Sequence, residues 1–498
     1  MTNSLPQQIS PFNLKPNSSD EKWYVFDLET NGLYDDVTEI FCIVIHDVTR
    51  QQTITYRPDS IDRAIESLNN ADVLIGHNII FYDIPVLQKL KSSFVLDKQH
   101  VIDTLICTRL IWPKEKLLES DTTSYARVPG GLKGSASLKA WGYRLSDYKI
   151  DFKDFTSFSE EMLSYCVQDV NVTTKLFEHI QKQSISPASL ELEHTFASCI
   201  ERQIRSGFPF DIDAALAFVD ELEHKKQELE KELVSLFPPI EHEEWFTPKV
   251  NNANRGYVKG KPFCKKRIEV FNPGSRQQIV DRLKKKYGWV PESKTEKGNP
   301  ILNDDVLEKL PYPEAKPLAE YMLLKKRLGQ IKDGNNAWIK LVSPDGYIHG
   351  DVVTNGCITG RCSHRNPNTA QIPAAYSPYG KECRSLFHAP DDWILIGSDA
   401  KALELRCLAG YLAFWDGGEY GQMVTDDSVD IHTYNQEKFG VETRDISKRL
   451  LYAVLYGAGF YKAGTIVNPD EKDPDILKQL GKTAINSFMT GVPALQEL

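Results

Sequence analysis

Apolar positions along this chain fall into two periods, and the acidic residues at the ends of the apolar runs carry most of the information. Trp23-Tyr-Val-Phe-Asp-Leu-Glu-Thr30 reads as a strand. Residues two apart on a strand share a face, so Asp27 and Glu29 converge at its end. A second apolar strand begins at Leu74, breaks at Gly76-His77-Asn78 and resumes toward Asp83-Ile84-Pro85. Tyr165 and Asp169 are four apart, which places phenol and carboxylate on one helical face. Long charged amphipathic helices are expected over 216–237 and 321–341. Further on, Trp393 to Ser398 reads as an apolar strand running into Asp399, then into a helix that holds Glu404 and Arg406. Arg444, Lys448, Tyr452 and Tyr456 recur every four residues and form one stripe that drifts slowly around a helix.

Composition narrows the class. A chain of 498 residues has room for roughly three domains. Its 41% hydrophobic and 26% charged content is that of a soluble globular protein, and no run approaches a membrane span. Residues 1–20 are polar, lack a signal-peptide core and read as a disordered tail. The nine cysteines are scattered without a C-x-x-C pair, which argues against zinc or a disulfide framework and fits a reducing cytoplasm.

The net charge of −10 does not exclude a nucleic-acid partner, because binding follows local patches. One patch holds Lys249, Arg255, Lys259, Lys261, Lys265, Lys266 and Arg267, interleaved with Tyr257 and Phe263. It reads as a mobile basic loop, either a solvated surface loop or a phosphate contact. Between two long helices it would suit a clamp on duplex backbone. The stretch from Thr359-Gly-Arg-Cys-Ser363 to Pro373 is hairpin-like and punctuated by Gly and Pro.

Two converging carboxylates on a buried strand repel unless a cation lies between them, and a hard divalent ion prefers oxygen ligands. Asp27-x-Glu29, Asn78-x(4)-Asp83 and Tyr165-x(3)-Asp169 together resemble the DEDDy class of 3′-5′ exonucleases, as found in the proofreading domain of DNA polymerases. The resemblance implies that Asp27, Glu29, Asp83 and Asp169 hold two Mg²⁺ ions and that Tyr165 orients the attacking water. Mn²⁺ suits the same ligands. Two such ions stabilise both the incoming and the leaving oxygen of a phosphoryl displacement.

The second half carries a further resemblance. Thr359-Gly-Arg361, the Asp399 segment and Arg444-x(3)-Lys448-x(7)-Tyr456-Gly457 are similar to successive motifs of family A DNA polymerases, and the likeness is greatest to the replicative enzymes of short-tailed phages. It runs from Trp23 to about Val467. It implies that Asp399 and the Ala400 carbonyl are metal ligands and that Glu404 is a steric gate selecting dNTPs. Arg444, Lys448 and His432 would hold the triphosphate, Tyr452 would pack on the incoming sugar and base, and Tyr456 would lie near the templating position. Arg361 and Gln371 would touch the primer-template minor groove, where acceptors common to all base pairs permit checking without sequence preference.

The implied fold is an α/β exonuclease domain (RNase H-like, mixed sheet) followed by an α-rich thumb and a partial α+β palm and fingers. The implied boundaries are a tail over 1–20, exonuclease over 21–185, thumb over 186–345 with a short basic insertion at about 239–268, palm over 346–430 and fingers over 431–498. Expected partners are primer-template and single-stranded DNA and dNTPs, in the cytoplasm, which is the host's for a phage-encoded chain.

There are two departures from the family pattern. Some phage relatives carry a long insertion before Val270-Phe-Asn-Pro-Gly-Ser275 that recruits host thioredoxin. Here Pro239 to Ile268 is short, so thioredoxin is not expected and the basic loop is expected to hold DNA directly. Secondly, the His-Asp-Glu motif that supplies a second palm aspartate is absent before Leu498. The expectation is an N-terminal polymerase portion with a working proofreading nuclease, polymerising poorly or not at all alone and completed by a separate C-terminal chain. A stand-alone nuclease that uses its polymerase-like half to grip DNA, and a silent DNA-binding relic, are the alternatives.

Overall fold

A computed structural model describes residues 14–123, 127–291, 298–471 and 473–498. Most of the expected tail, residues 1–13, lies outside the described residues. From Leu14 onward the chain is held: Gln181 Nε2 donates to the Leu14 carbonyl at 2.5 Å, and Leu14 packs against the first core. The chain divides into two compact units after Ile394.

The first unit begins with a five-stranded sheet of β1 (Trp23–Thr30), β2 (Ile40–Asp47), β3 (Gln52–Tyr56), β4 (Val73–Gly76) and β5 (His100–Asp103) in the order β3-β2-β1-β4-β5. The hairpin pairs β3-β2 and β2-β1 are antiparallel, whereas β1-β4 and β4-β5 are parallel. Helices α1 (Ile61–Asn69), α2 (Asp83–Leu90), α3 (Thr104–Ile111), α4 (Lys114–Asp121), α5 (Leu138–Arg144) and α6 (Glu160–Ile180) complete this α/β fold.

Both faces of the sheet are covered, so β1 is apolar from Trp23 to Phe26 and again at Leu28. Trp23 and Val25 enter a core with Cys166, Val170 and Phe177 of α6. Phe26 and Leu28 enter another with Ile65 and Leu68 of α1 and Leu87 of α2. Strand alternation therefore turns Asp27 and Glu29 toward the α6 side.

The second apolar run does not resume as a strand. Beyond Gly76 the chain turns through Asn78 at φ 72°, and α2 starts at Asp83. Pro85 fits there because a first-turn N–H has no intrahelical partner to lose. Gly76 is required by close approach, since a Cβ would lie 2.2 Å from Ile79 Cγ2.

Beyond α6 come α7 (Pro187–Ser206), β6 (Phe208–Pro209) and α8 (Ile212–Leu236), then a hairpin of β7 (Ile240–Phe246) and β8 (Phe263–Glu269). The basic segment expected as an irregular loop is thus the outer part of a β-hairpin, whose strands pair from Ile240↔Glu269 to Phe246↔Phe263. Helices α9 (Arg276–Tyr287), α10 (Asp304–Glu308) and α11 (Ala315–Leu328) follow. The helix expected over 321–341 starts earlier and ends at Leu328. A π-turn over Gly329–Asp333 and the Gly334-Asn335-Asn336 break precede a short 3-10 turn at Trp338–Leu341. Leu222 of α8 meets Leu324 and Leu328 of α11 in the core of this helical layer. The expected hairpin near Arg361 is present as β10 (Asp351–Val353) and β11 (Ser363–Arg365), after β9 (Tyr347–Ile348), which pairs with β6. A short helix, α12 (Gly380–Ser385), follows.

The strand expected over 393–398 is absent. Residues 393–400 have no regular structure, and Trp393, Ile394, Leu395 and Ile396 are all exposed. Apolar character alone does not make a strand, because the ladder needs a neighbour. None pairs with this stretch among the described residues.

The second unit is helical: α13 (Leu403–Asp416), α14 (Glu419–Thr425), α15 (Ile431–Phe439), α16 (Arg444–Leu455), α17 (Phe460–Val467), α18 (Pro474–Gly491) and α19 (Ala494–Glu497). Its core gathers Leu405, Leu412, Tyr420, Leu450 and Leu451 around Phe439 and Phe488, whose rings stack at 4.0 Å. Side-chain caps set the boundaries, with Thr443 Oγ1 accepting from Ile446 N and Asp430 from His432 N. No described helix is long and apolar enough to cross a membrane.

Candidate active sites

The acids of the first unit meet where β1, α2 and α6 converge. Glu29, Asp83 and Asp169 are buried, and Asp27 is half-buried. Asp27, Glu29 and Cys166 place ligand atoms within 4.8 Å of one another. Cys166 Sγ also lies 3.6 Å from Asp27 Oδ2. Four residues of helix carry Tyr165 to Asp169 on the same face of α6, as the spacing predicts. All five residues singled out from the sequence are therefore brought together.

Electrostatics show what the cluster lacks. Burial first, then the Asp169 charge, pushes Asp27 up to about 7. Burial with Asp27 and Asp169 pushes Glu29 up to about 10. Asp83 is raised well above the usual carboxylate range by burial and by Asp27. Burial also raises Asp169, with Lys149 opposing it. Carboxyl groups forced toward their neutral form by burial and mutual repulsion are a site for positive charge.

One cation already answers that demand. The Lys149 ammonium forms an ion pair with Asp169 Oδ2 and lies 4.7 Å from the centre of the Tyr165 ring. The other oxygen, Asp169 Oδ1, is buried without a hydrogen-bond partner among the described residues. An orphaned carboxylate oxygen coupled to Asp27 and Glu29 fits a hard divalent ion. Phe152 and Phe155 flank the Tyr165 ring at 5.7 and 6.2 Å and fix its direction.

Sequence reasoning missed two residues here. Lys149 lies in an irregular stretch between α5 and α6, and no periodicity marks it. Asp103 ends β5 and caps α3. Its carboxylate accepts from Leu105 N at 2.9 Å, and also from Asn78 N and Ile80 N at 2.8 and 3.1 Å, so it holds the turn that delivers Asp83. An acid at a strand end just before a helix was the available signal.

In the second unit α16 turns its Leu450 and Leu451 inward and presents Arg444, Lys448 and Tyr452 on another side, with Tyr456 as the C-terminal cap. The Arg444 guanidinium is held by Asp430 at 2.5 and 3.2 Å. His432 sits with its ring 6.4 Å from that of Tyr452, and its Nδ1 is buried without a partner among the described residues. Burial, then Arg444 and Lys448, hold His432 below its usual range, so it is neutral beside two cations. Tyr456 OH donates to Glu404 Oε1 at 3.3 Å from the far end of the stripe. Glu404, His432, Arg444, Lys448, Tyr452 and Tyr456 thus form one surface, with cations at one end and phenols at the other. Asp430 is the residue that sequence reasoning missed.

The remaining candidates lie on exposed turns and irregular stretches. Asp399 and Ala400 lie on the exposed stretch before α13, without hydrogen bond or ion pair among the described residues. Arg361 is exposed in the turn between β10 and β11, where its carbonyl accepts from Cys357 N. Gln371 is exposed on a short 3-10 turn, its carbonyl accepting from Gln330 Nε2 at 3.4 Å.

Residues 24–181 match the RNase H superfamily, and residues 260–497 match DNA polymerase family A. This chain belongs to DNA polymerase family A, with an RNase H-like exonuclease domain ahead of the polymerase domain. It is similar to the DNA-directed DNA polymerase of Escherichia phage T7, at 35% identity over 95% of this chain and 80% of that one. The corresponding enzyme of Enterobacteria phage T3 is 34% identical over the same shares. Among solved structures, the POL domain of Pol1 from M. smegmatis, in complex with DNA primer-template and dNTP, shares the fold at a TM-score of 0.64. That likeness covers 96% of this chain and 75% of the other at 14% identity. Family A polymerases and RNase H-like nucleases use divalent metals, in keeping with the carboxylate cluster.

Proposed function

We propose that the acids around α6 form the working centre of a 3′-5′ proofreading exonuclease within this DNA-directed DNA polymerase. Asp27, Glu29, Asp83 and Asp169 would hold two Mg²⁺ ions, which when bound supply charge for the entering and leaving oxygens. Tyr165 orients the water, and its ring is held for that task by Phe152 and Phe155. The substrate is the 3′ end of single-stranded DNA. The observation that carries this reading is the gathering of Asp27, Glu29 and Asp83 with Asp169, whose buried Oδ1 has no partner among the described residues.

For the polymerase half, the proposal gives Arg444, Lys448 and His432 the triphosphate of an incoming dNTP. Tyr452 packs on its sugar and base, and Glu404 meets the sugar where a 2′-hydroxyl would stand. Tyr456 sits near the template base, held now by Glu404. Asp399 and the Ala400 carbonyl are the proposed metal ligands, and Arg361 and Gln371 the proposed minor-groove contacts of the primer-template. The domain reading stands as exonuclease 21–185, thumb 186–345, palm 346–430 and fingers 431–498, acting in the host cytoplasm. Thioredoxin is not part of the proposal.

The test is a gel assay of a 5′-labelled primer-template with Mg²⁺, with and without dNTPs, beside Asp27→Ala. Shortening that Asp27→Ala abolishes supports the nuclease, and lengthening with dNTPs supports the polymerase site. Shortening that persists in Asp27→Ala refutes the assigned centre.

A further inference from the structure

Trp112 caps the C-terminus of α3, Trp141 and Arg144 lie on α5, and His179 stands in the last turn of α6. The rings pack together, with centroids 4.9 Å apart for Trp112 and Trp141 and 5.1 Å apart for Trp112 and His179. A spacing of three puts Trp141 and Arg144 on one helical face, and the guanidinium sits over the indole at 4.8 Å. These residues and Tyr143 wall a cavity of about 550 Å³ in the first unit. His179 lies about 15 Å along α6 from Asp169, at ~1.5 Å rise per residue, so the cavity is separate from the acid centre.

Two donors on that wall have no acceptor. Arg144 gives Nε and Nη2 to the Asp121 carboxylate at 3.0 and 2.7 Å, which leaves Nη1 turned away from that acid. Nη1 and the Trp141 indole Nε1 are both buried without a hydrogen-bond partner among the described residues. Buried donors left unmade are costly, so two on one wall call for a ligand that offers acceptors. Asp121 is the only acid on the wall among the described residues, and Arg144 and the Gly134 N–H occupy it. Lys116 and Arg127 are exposed at the rim, and neither forms an ion pair among the described residues. Burial, then the Lys182 charge, hold His179 below its usual range, so the rim cations carry the charge of the cavity.

We propose that this cavity binds a nucleoside monophosphate. The base stacks against Trp112 and Tyr143, its edge acceptors face Trp141 Nε1 and Arg144 Nη1, and its phosphate rests on Lys116 and Arg127. Aromatic rings take any base through its π-face, and cations take an anion through charge-assisted hydrogen bonds. Two rim cations match the charge of about −1.5 to −2 on one terminal phosphate. The volume falls within the range of roughly 300–1,000 Å³ usual for small-molecule sites. The site depends on neither the exonuclease nor the polymerase reading.

The experiment titrates the full chain with dGMP by calorimetry in EDTA, where no divalent ion holds a nucleotide at the acid centre. Lys116→Gln combined with Arg127→Gln should weaken binding at least about tenfold, since charge-assisted contacts are lost. Trp141→Phe keeps a ring and removes the N–H, so it should weaken binding by about 2–10-fold. Asp27→Ala should bind as the wild type does. A single cooperative melt in each variant shows that it folds. No binding by the wild type, equal affinity in the rim variant, or loss of binding in Asp27→Ala each overturns the proposal. 2-Deoxyribose 5-phosphate, which lacks a base, should bind at least about tenfold more weakly than dGMP, and equal binding overturns the stacking of the base. A single-stranded oligonucleotide that displaces dGMP from Asp27→Ala assigns the site to a nucleotide unit of a strand, and failure to displace it assigns the site to the free nucleotide. Both results keep the site.

Discussion

Replacing Lys149 with Met probes the exonuclease centre most directly, because it removes the ammonium paired with Asp169 while keeping the bulk of the stem. The two side chains are 19% and 5% exposed, so Asp169 is buried and Lys149 largely so. Removing one partner of a buried pair costs roughly 3–5 kcal/mol. Burial already raises Asp169 with Lys149 beside it, so losing the ammonium raises it further, and the penalty shrinks as pH falls toward the ordinary carboxylate range. In thermal melts of the full chain in EDTA, the transition of the exonuclease domain should fall by roughly 8–16 °C at pH 7.

Saturating Mg²⁺ should erase most of that gap, since divalent charge takes over the neutralisation of Asp169 and binding to the folded form alone stabilises it. By the same linkage the variant should bind Mg²⁺ more tightly than the wild type. An equal loss with and without Mg²⁺ would refute the reasoning, because it would make Lys149 a packing residue rather than a competitor for the metal site.

Other outcomes follow from the same geometry. In EDTA, Asp27 and Glu29 have folded-state values raised to about 7 and about 10, so their contribution to stability is full below pH ~4 and is lost as pH rises through those values. Melts from pH 4 to 8 should show that decline in EDTA and its reversal with Mg²⁺, which needs the ionised acids. Phe488→Ala removes a ring that is 1% exposed and stacked on Phe439, and it should destabilise the second unit by about 3–5 kcal/mol in denaturant titration. Lys448→Ala should weaken binding of a deoxynucleoside triphosphate by about 1.5–3 kcal/mol in calorimetry, and unchanged affinity would remove Lys448 from the phosphate site.

Local periodicity carried much of this protein into view. Strand alternation alone predicts that Asp27 and Glu29 share a face, and four-residue spacing alone predicts the Tyr165–Asp169 pair and the Arg444-to-Tyr456 stripe. These are properties of a single element, set by its own dihedral angles. What lies opposite an element is not written in its period. Only the tertiary structure decided that β1 turns its acids toward α6, that Lys149 comes from an irregular stretch to neutralise Asp169, and that Asp103 holds the turn before Asp83. The same limit explains the failures. Trp393 to Ser398 has the composition of a strand but no neighbour among the described residues to complete a ladder, whereas the basic segment has two arms that pair with each other and so becomes a hairpin. Backbone pairing is a contact between distant residues, so the composition of either partner alone cannot determine it.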